Sequence, residues 1–344
     1  SAMARKNAYR VAVAGATGLV GDTMLRVLEQ RRFPVAELIP LASARSVGKT
    51  VRFAGQDIPV RDLASFDFAG VDFGLFSAGA SVSAEHAPRA GAAGCVVIDN
   101  TSKFRYDPDI PLVVPEVNPA AIAQYRTRHI IANPNCSTMQ MVVALKPLHD
   151  AAGITRINVA TYQSVSGAGR RSVDALRAQA AAILAGDAPV TEGAAKPIGF
   201  NVVPHIDEFQ PNGYTKEEMK MVWETRKILG DESIQVNPTA VRVPVFFGHS
   251  EAVHIETRRK LTAAEARALL AAAPGVTLID EARQGGYPTA LTDAADHDPV
   301  YVGRIREDIS CDRGLSLWVV ADNIRKGAAL NSVQIAEILV RDYL

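Results

Sequence analysis

The chain has 344 residues, 48% of them hydrophobic, which is enough apolar side chain for two packed domains and excludes a disordered protein. Its 37 Lys and Arg residues balance its 37 Asp and Glu residues, so the charge does not indicate a nucleic-acid or anionic-membrane partner. No apolar run in the sequence approaches the ~20 residues that a membrane-spanning helix needs.

The first predicted element is a buried parallel strand, residues 10–14, followed by a glycine-rich turn and a helix. Apolar residues from Met24 to Leu28 have helical spacing, and they predict a helix that runs to Arg31. A strand, a G-x-x-G-x-x-G turn and a helix form a variant of the dinucleotide-binding fingerprint, in which the backbone approaches a pyrophosphate closely. An ordinary strand–helix turn is the alternative. The turn glycines are Gly15, Gly18 and Gly21.

The second predicted strand, residues 37–41, leads into Ser43, Arg45 and Ser46. In a dinucleotide-binding fold the end of this strand normally carries an acidic residue that binds the ribose 2′-hydroxyl. An arginine with neighbouring hydroxyls suits a 2′-phosphate instead, so the sequence predicts NADP in preference to NAD. The alternative is a solvated surface arginine.

Further strand and helix patterns alternate along the first third of the chain. Strands are predicted over 71–76, 95–99 and 129–132, and a helix over 83–93. This alternation predicts a doubly wound parallel sheet of the Rossmann type.

A cysteine follows the strand at 129–132. Asn135 is a good helix N-cap, so Cys136 is predicted in the first turn of a helix that includes residues 139–145. The positive end of the helix dipole favours the thiolate, which is the nucleophilic form. A buried structural cysteine is the alternative. The other cysteines, Cys95 and Cys311, receive no role, and three widely spaced cysteines predict a reducing, cytoplasmic environment.

The pattern changes after this helix, because several strands follow with few helices between them. Such a pattern predicts a mixed or antiparallel sheet, with a loop region over 185–213. Strands are predicted over 157–163, 240–247, 252–258, 301–305 and 315–320, and helices over 170–184, 216–229, 262–273 and 328–342.

A set of short motifs then occurs in a recognisable order, and with them the chain resembles aspartate-β-semialdehyde dehydrogenase of the bacterial type, from Tyr9 to the last helix. The motifs are Asn135-Cys136-Ser137-Thr138, Gln163 with Ser166-Gly167-Ala168-Gly169, Glu217-Glu218-Met219-Lys220, Val241-Arg242-Val243-Pro244 and Gly248-His249-Ser250-Glu251. The resemblance implies an α/β fold with a Rossmann domain over 4–134, completed by 323–344. It implies a glyceraldehyde-3-phosphate-dehydrogenase-like α+β domain with a mixed sheet over 135–322, and an assembly that is a homodimer or, as the alternative, a tetramer.

The resemblance also implies the reaction. The family reduces L-4-aspartyl phosphate with NADPH to L-aspartate 4-semialdehyde and phosphate through a cysteine thioester. This is a step toward lysine, diaminopimelate, methionine, threonine and isoleucine.

By motif, the resemblance implies a role for each matching residue. The catalytic residues are the nucleophile Cys136, the acid/base His249, and Gln163, which orients the acyl group. The substrate-binding residues are Arg242 for the carboxylate, Glu217 for the amino group, and Arg105 and Lys220 for phosphate. The cofactor-binding residues are Gly15, Thr17, Gly18, Leu19, Val20, Arg45, Ser46, Ser166, Gly167 and Asn323.

Each residue alone has a plainer interpretation. A lone histidine is more often structural, Glu217 and Lys220 could be an exposed ion pair, and Arg105 could be a surface charge. Glu218 is an alternative to Glu217. N-Acetyl-γ-glutamyl-phosphate reductase is the alternative enzyme, and a non-catalytic binding protein is the alternative class. No Cys/His pairs have ligand spacing, so no metal is predicted.

Overall fold

The structure, a computed structural model, describes residues 6–344, so the predicted domain start at residue 4 lies outside the described residues. The chain divides into two compact units. The first runs to Asn135 and includes Ala328–Leu344, and the second is Cys136–Gly327. The returning segment begins at Ala328 rather than at the predicted residue 323, because Asn323 hydrogen-bonds to Ser164 and Ser166 of the second unit.

The first unit is built on a parallel sheet. Its strands are β1 (Tyr9–Ala14), β2 (Val35–Ala42), β3 (Thr50–Phe53), β4 (Gln56–Pro59), β5 (Arg61–Asp62), β6 (Phe73–Phe76), β7 (Val96–Asp99) and β8 (Ile130–Ala132). Among the described residues, six of them pair in the order β5-β2-β1-β6-β7-β8, and all five pairings in this sheet are parallel. This order is that of a dinucleotide-binding doubly wound sheet, which confirms the predicted Rossmann domain.

Two helices follow strands of this sheet, α1 (Leu19–Gln30) after β1 and α2 (Ala80–Ala92) after β6. Met24, Leu25, Val27 and Leu28 form the buried stripe of α1 and join the core of the unit. Burial of each such side chain contributes about 1.5–3 kcal/mol, so the apolar spacing read from the sequence is also what fixes α1 to the sheet.

The strands β3 and β4 form a small antiparallel hairpin that was not predicted from the sequence. Its turn is Ala54–Gly55, where both residues have positive φ. The short alternation around Val51 and Ile58 was the available signal, but four-residue strands carry little periodicity.

The second unit is built on a mixed sheet. Its elements are α3 (Cys136–Ala152), β9 (Ile154–Gln163), α4 (Arg170–Leu184), α5 (Lys216–Leu229), β10 (Gln235–Arg242), β11 (His249–Thr257), α6 (Ala263–Ala271), β12 (Val276–Leu278), β13 (Val300–Glu307) and β14 (Gly314–Ala321). Among the described residues the strand order is β10-β9-β11-β14-β13-β12. β9 pairs in parallel with β10 and antiparallel with β11, which confirms the predicted mixed sheet.

One predicted strand is displaced. Residues 240–247 were expected to be extended, but β10 ends at Arg242. Pro238 lies inside β10, and it is tolerated there because β10 is an edge strand. Beyond Arg242 the chain leaves the sheet, and the carbonyls of Val245 and Phe246 instead accept hydrogen bonds from the turn at Val165 and Ser166.

The chain closes with α7 (Leu330–Asp342), which begins after a wide helical turn at Arg325–Ala329. Leu330, Val333 and Leu339 are buried in the core of the first unit. None of the helices within residues 6–344 is long and apolar enough to cross a membrane.

Candidate active site

Cys136 is the first residue of α3, as its sequence context predicts. Its Sγ lies 3.3 Å from Nε2 of His249. The other two thiols are in unfavourable settings for a nucleophile: burial raises the pKa of Cys95, and a hydrogen bond to Glu256 raises the pKa of Cys311. The helix dipole at Cys136 acts in the opposite direction and favours a thiolate.

His249 is the first residue of β11 and is fully buried. Burial, together with the positive charge of Arg242, holds the pKa of His249 well below its usual range, so the imidazole is neutral. The Ser164 N–H donates to Nδ1 at 3.0 Å. The neutral ring therefore carries its hydrogen on Nε2, the nitrogen that faces Cys136.

Arg242 ends β10 and reaches the same place. Its Nη1 donates to the Ser164 carbonyl at 2.9 Å, and burial lowers its pKa, with Glu217 and Cys136 acting in the opposite direction. A Cβ added to Gly167 would lie 3.1 Å from Arg242 Nη1 and 3.3 Å from His249 Nε2. Glycine at this position therefore keeps the space between the two side chains open.

Gln163 has a fixed amide orientation. Its Oε1 accepts from Thr161 Oγ1 at 2.9 Å, and its Nε2 donates to Glu217 Oε2 at 3.0 Å. All three side chains are buried. Thr161 was not singled out from the sequence, although its place two residues before Gln163 on β9 puts it on the same face.

Lys220 lies between two carboxylates. Its Nζ is 3.6 Å from Glu217 and 3.1 Å from Asp207. Asp207 was missed because it lies in the predicted loop region, where the sequence has no periodicity that places a side chain. The predicted phosphate lysine is therefore already paired before any ligand is considered.

The choice between Glu217 and Glu218 has a structural answer. Glu218 forms a capping box with Thr215 at the start of α5, and it also accepts from the Ala240 N–H at 2.8 Å. Glu217 instead faces Gln163 and Lys220. Glu218 is a helix-capping residue, and Glu217 is the one that belongs to the candidate site.

Ser166, Gly167 and Asn323 meet beside His249. Asn323 Oδ1 accepts from Ser164 Oγ and from the Gly248 N–H, both at 2.9 Å. Its Nδ2 donates to Ser166 Oγ at 3.0 Å. The buried Asn323 amide thus links the turn that contains Ser166 with the start of β11.

The first unit carries the remaining predicted cofactor residues. Gly15 has φ +87°, and a Cβ there would lie 2.7 Å from the Ser77 carbonyl, so the turn requires glycine. Thr17 and Gly18 complete the turn, and Leu19 and Val20 begin α1. The turn thus leads directly into a helix N-terminus, the usual anion site. Arg45 and Ser46 lie in the turn after β2, where Arg45 is exposed.

Arg105 also lies in the first unit and is buried rather than a surface charge. Its Nε donates to the Asn133 carbonyl at 2.9 Å. The Asn133 side chain accepts from Asn331 Nδ2 at 2.6 Å and donates to the Ala328 carbonyl at 3.0 Å. The hydrogen bond between these two asparagines was not predicted, because it joins positions that are far apart in the sequence. Within the described residues no group of three or more His, Cys, Asp or Glu side chains is placed to hold a metal.

Comparison with known proteins covers nearly the whole chain. A family described as semialdehyde dehydrogenase, NAD binding domain, matches residues 10–125, and its dimerisation domain matches residues 145–326. The aspartate-semialdehyde dehydrogenase of Legionella pneumophila is 63% identical over 97% of this chain and 96% of its own length.

Two solved structures extend the comparison. Aspartate semialdehyde dehydrogenase II of Vibrio cholerae, complexed with ASA, has a TM-score of 0.96 and 59% identity, covering 98% of this chain and 100% of that one. The Candida albicans enzyme, solved with NADP, has a TM-score of 0.74 and 27% identity, covering 96% of this chain and 98% of that one.

Proposed function

The chain belongs to the aspartate-semialdehyde dehydrogenase family, and from that premise we propose that it reduces L-4-aspartyl phosphate to L-aspartate 4-semialdehyde with NADPH, through a thioester on Cys136. The observation that carries the proposal is the 3.3 Å approach of Cys136 Sγ to Nε2 of a buried, neutral His249. A nucleophile at a helix N-terminus beside an imidazole is the arrangement that acyl transfer needs.

In the proposed reaction the Cys136 thiolate attacks the acyl carbon, a C–S bond forms, and the C–O bond to phosphate breaks. His249 carries a hydrogen on Nε2, which can donate a hydrogen bond to the thiolate and then to the oxygen of the tetrahedral adduct. The hydrogen on Nε2 supports the role of His249 as an acid, which is one part of its predicted acid/base role. Arg105 and Lys220 are the cations proposed for the departing phosphate.

The proposed cofactor is NADP. When bound, NADPH supplies the hydride that converts the thioester to the aldehyde. The tight Gly15 turn and the start of α1 suit a pyrophosphate, and Arg45 in the turn after β2 suits a 2′-phosphate. The Candida albicans relative was solved with NADP, which supports the same choice.

The proposed substrate is a free amino acid derivative. Arg242 supplies a cation for the α-carboxylate, and Glu217 supplies an anion for the α-ammonium. An N-acylated substrate has no ammonium group to pair with the buried Glu217 carboxylate. This disfavours the alternative proposal that the chain is an N-acetyl-γ-glutamyl-phosphate reductase. The Vibrio cholerae relative, which was solved in complex with ASA, supports the aspartyl substrate.

The decisive experiment measures phosphate-dependent oxidation of L-aspartate 4-semialdehyde with NADP. We expect a higher kcat/KM for this compound than for N-acetyl-L-glutamate semialdehyde. The opposite order would favour the alternative reductase and remove the role proposed for Glu217.

The same assay tests the nucleophile. Cys136→Ala should abolish turnover and retain NADP binding, because only the attacking sulfur is removed. Cys311→Ala is the matched control, and it should leave the chemistry in place, as should Cys95→Ala. Substantial turnover by Cys136→Ala would exclude the thioester.

A further inference from the structure

Glu251 is a buried carboxyl group that has been given no role so far. It lies on β11, two residues after His249, and it is fully buried. Neither of its oxygens accepts a hydrogen bond from any described backbone or side-chain group. Burial raises the pKa of this carboxyl group well above the usual range. A carboxyl group in this setting is a neutral acid with one hydrogen to donate.

The position of Glu251 follows from the register of β11 against α3. The His249 side chain faces α3, since it reaches Cys136, and side chains two residues apart on a strand share a face. α3 returns into β9 through Gly153 alone, and β9 is antiparallel to β11, so α3 and β11 run in the same direction.

The step along each element is nearly equal. Two residues along a strand advance about 6.6 Å, and four residues along a helix advance about 6 Å. The residue four positions after Cys136 is Gln140. Glu251 is therefore placed beside Gln140 in the same way that His249 is placed beside Cys136.

Gln140 has a buried side-chain oxygen that lacks a hydrogen-bond donor among the described residues. Its side chain is buried, and Nε2 donates to the His249 carbonyl at 3.1 Å and to the Val319 carbonyl at 3.2 Å. Val319 is the residue paired with Glu251 across β11 and β14. The two carbonyls fix which end of the amide is nitrogen, so Gln140 Oε1 points away from them, and it too has no described partner.

We propose that Glu251 is a positioning residue that donates its carboxylic hydrogen to Gln140 Oε1. The resulting chain of hydrogen bonds runs from Glu251 through Gln140 to the backbone of His249, and it holds the imidazole against Cys136. The proposal rests on the proposed function for the part that His249 plays. Loss of these hydrogen bonds frees the start of β11 from α3. A misplacement of 1 Å near a reacting group can reduce the rate about a hundredfold.

Infrared spectroscopy tests the hydrogen bond without reference to activity. The unmutated protein at neutral pH should show the C=O band of a protonated carboxylic acid above the amide I region. Glu251→Gln should remove this band, and Gln140→Met should shift it to higher frequency, because the acid loses its acceptor. Absence of any band that Glu251→Gln removes would overturn the neutral acid. A band that Gln140→Met leaves in place would overturn the partner.

Kinetics test the positioning role. Glu251→Met, which has similar length and no donor, should lower kcat about 10–100-fold with little change in KM for the semialdehyde. Glu251→Gln retains an N–H donor and should recover most of kcat. Glu256→Met is the matched control on the same strand, at a half-buried position on its other face. Equal kcat values for the Met and Gln variants of Glu251 would overturn the role.

Failure of the proposed function and failure of the Glu251–Gln140 hydrogen bond give different results. If semialdehyde oxidation is absent in the unmutated protein but the infrared band responds as described, the proposed function fails and the hydrogen bond stands. If Glu251→Met does not fold, the infrared comparison of the unmutated protein with Glu251→Gln and Gln140→Met still decides whether the contact exists.

Discussion

Arg242 is held in place by its Nη1, which donates to the Ser164 carbonyl and also lies beside Gly167, and its guanidinium is the cation proposed for the substrate carboxylate. We predict that Arg242→Lys lowers kcat/KM for L-aspartate 4-semialdehyde about 10–100-fold. Lysine keeps the charge but loses the fork, and one charge-assisted hydrogen bond is worth about 1.5–3 kcal/mol. Arg156→Lys, on β9 and exposed, is the control. An unchanged kcat/KM would rule out forked recognition.

Arg45 is exposed in the turn after β2, where its charge is free to meet a phosphate. We predict that Arg45→Ala weakens NADP binding by about one to two decades and NAD binding much less, because only NADP carries the 2′-phosphate. Binding of both nucleotides measured by calorimetry, with Arg52→Ala as a control on β3, checks this. Equal losses for NADP and NAD would show that Arg45 does not bind the 2′-phosphate.

At the scale of single residues, the sequence was informative where a chemical group is tied to a local signal. An N-cap followed by a cysteine placed Cys136 at the start of α3, and the position of His249 at the start of a strand brings its ring within 3.3 Å of the sulfur. Asp207 and Ser164 had no such signal. Asp207 meets Lys220 from a loop, and the Ser164 N–H that donates to His249 is a backbone group that every residue except proline has.

At the scale of elements, prediction succeeded for long periodic segments and failed for short or Pro-containing ones. The helices α4 and α5 begin and end at the predicted residues, because each has a buried stripe and a clear start. β10 was displaced because Pro238 disfavours a central strand, while the sequence does not reveal that this strand is at an edge.

The last helix supplies a hydrogen-bond partner for Asn133, which contacts Arg105, the arginine proposed to bind phosphate. Asn331 on α7 donates to Asn133 Oδ1 and to the Val113 carbonyl, and the Asn133 carbonyl accepts from Arg105. We predict that Asn331→Leu lowers the free energy of unfolding by about 1–3 kcal/mol, because buried acceptors lose their donor. It should also raise KM for phosphate severalfold.

Urea unfolding and steady-state kinetics measure the two effects of Asn331→Leu. Arg341→Leu, at an exposed position of the same helix, should change neither. A loss of stability with an unchanged KM for phosphate would show that α7 does not position Arg105.

At the scale of the whole molecule, one face of the mixed sheet in the second unit carries an apolar patch that is only partly covered. Tyr162 and Trp318 pack there with ring centroids 5.5 Å apart, and Ala252 is half-buried beside them. The residues of β11 that alternate with these face α3. The family match to a dimerisation domain over residues 145–326 supports a homodimer.

We therefore predict a homodimer whose interface includes Ala252 and buries more than about 2,000 Å². Ala252→Arg should give single chains by sedimentation at micromolar concentration, since it places a charge in an apolar contact. Ala264→Arg, at an exposed position of α6, should leave the dimer intact. Single chains in the unmutated protein would exclude the dimer.

The first unit contains both ends of the described chain, and this has a consequence for biosynthesis. A ribosome releases residues up to Asn135 first, but Leu330, Val333 and Leu339, which complete the core of that unit, emerge only after residues 136–327. At about 5–20 residues per second this delay is roughly ten to forty seconds. During that interval the nascent Rossmann sheet has an uncovered apolar surface, so we expect it to be a binding site for ribosome-associated chaperones until α7 arrives.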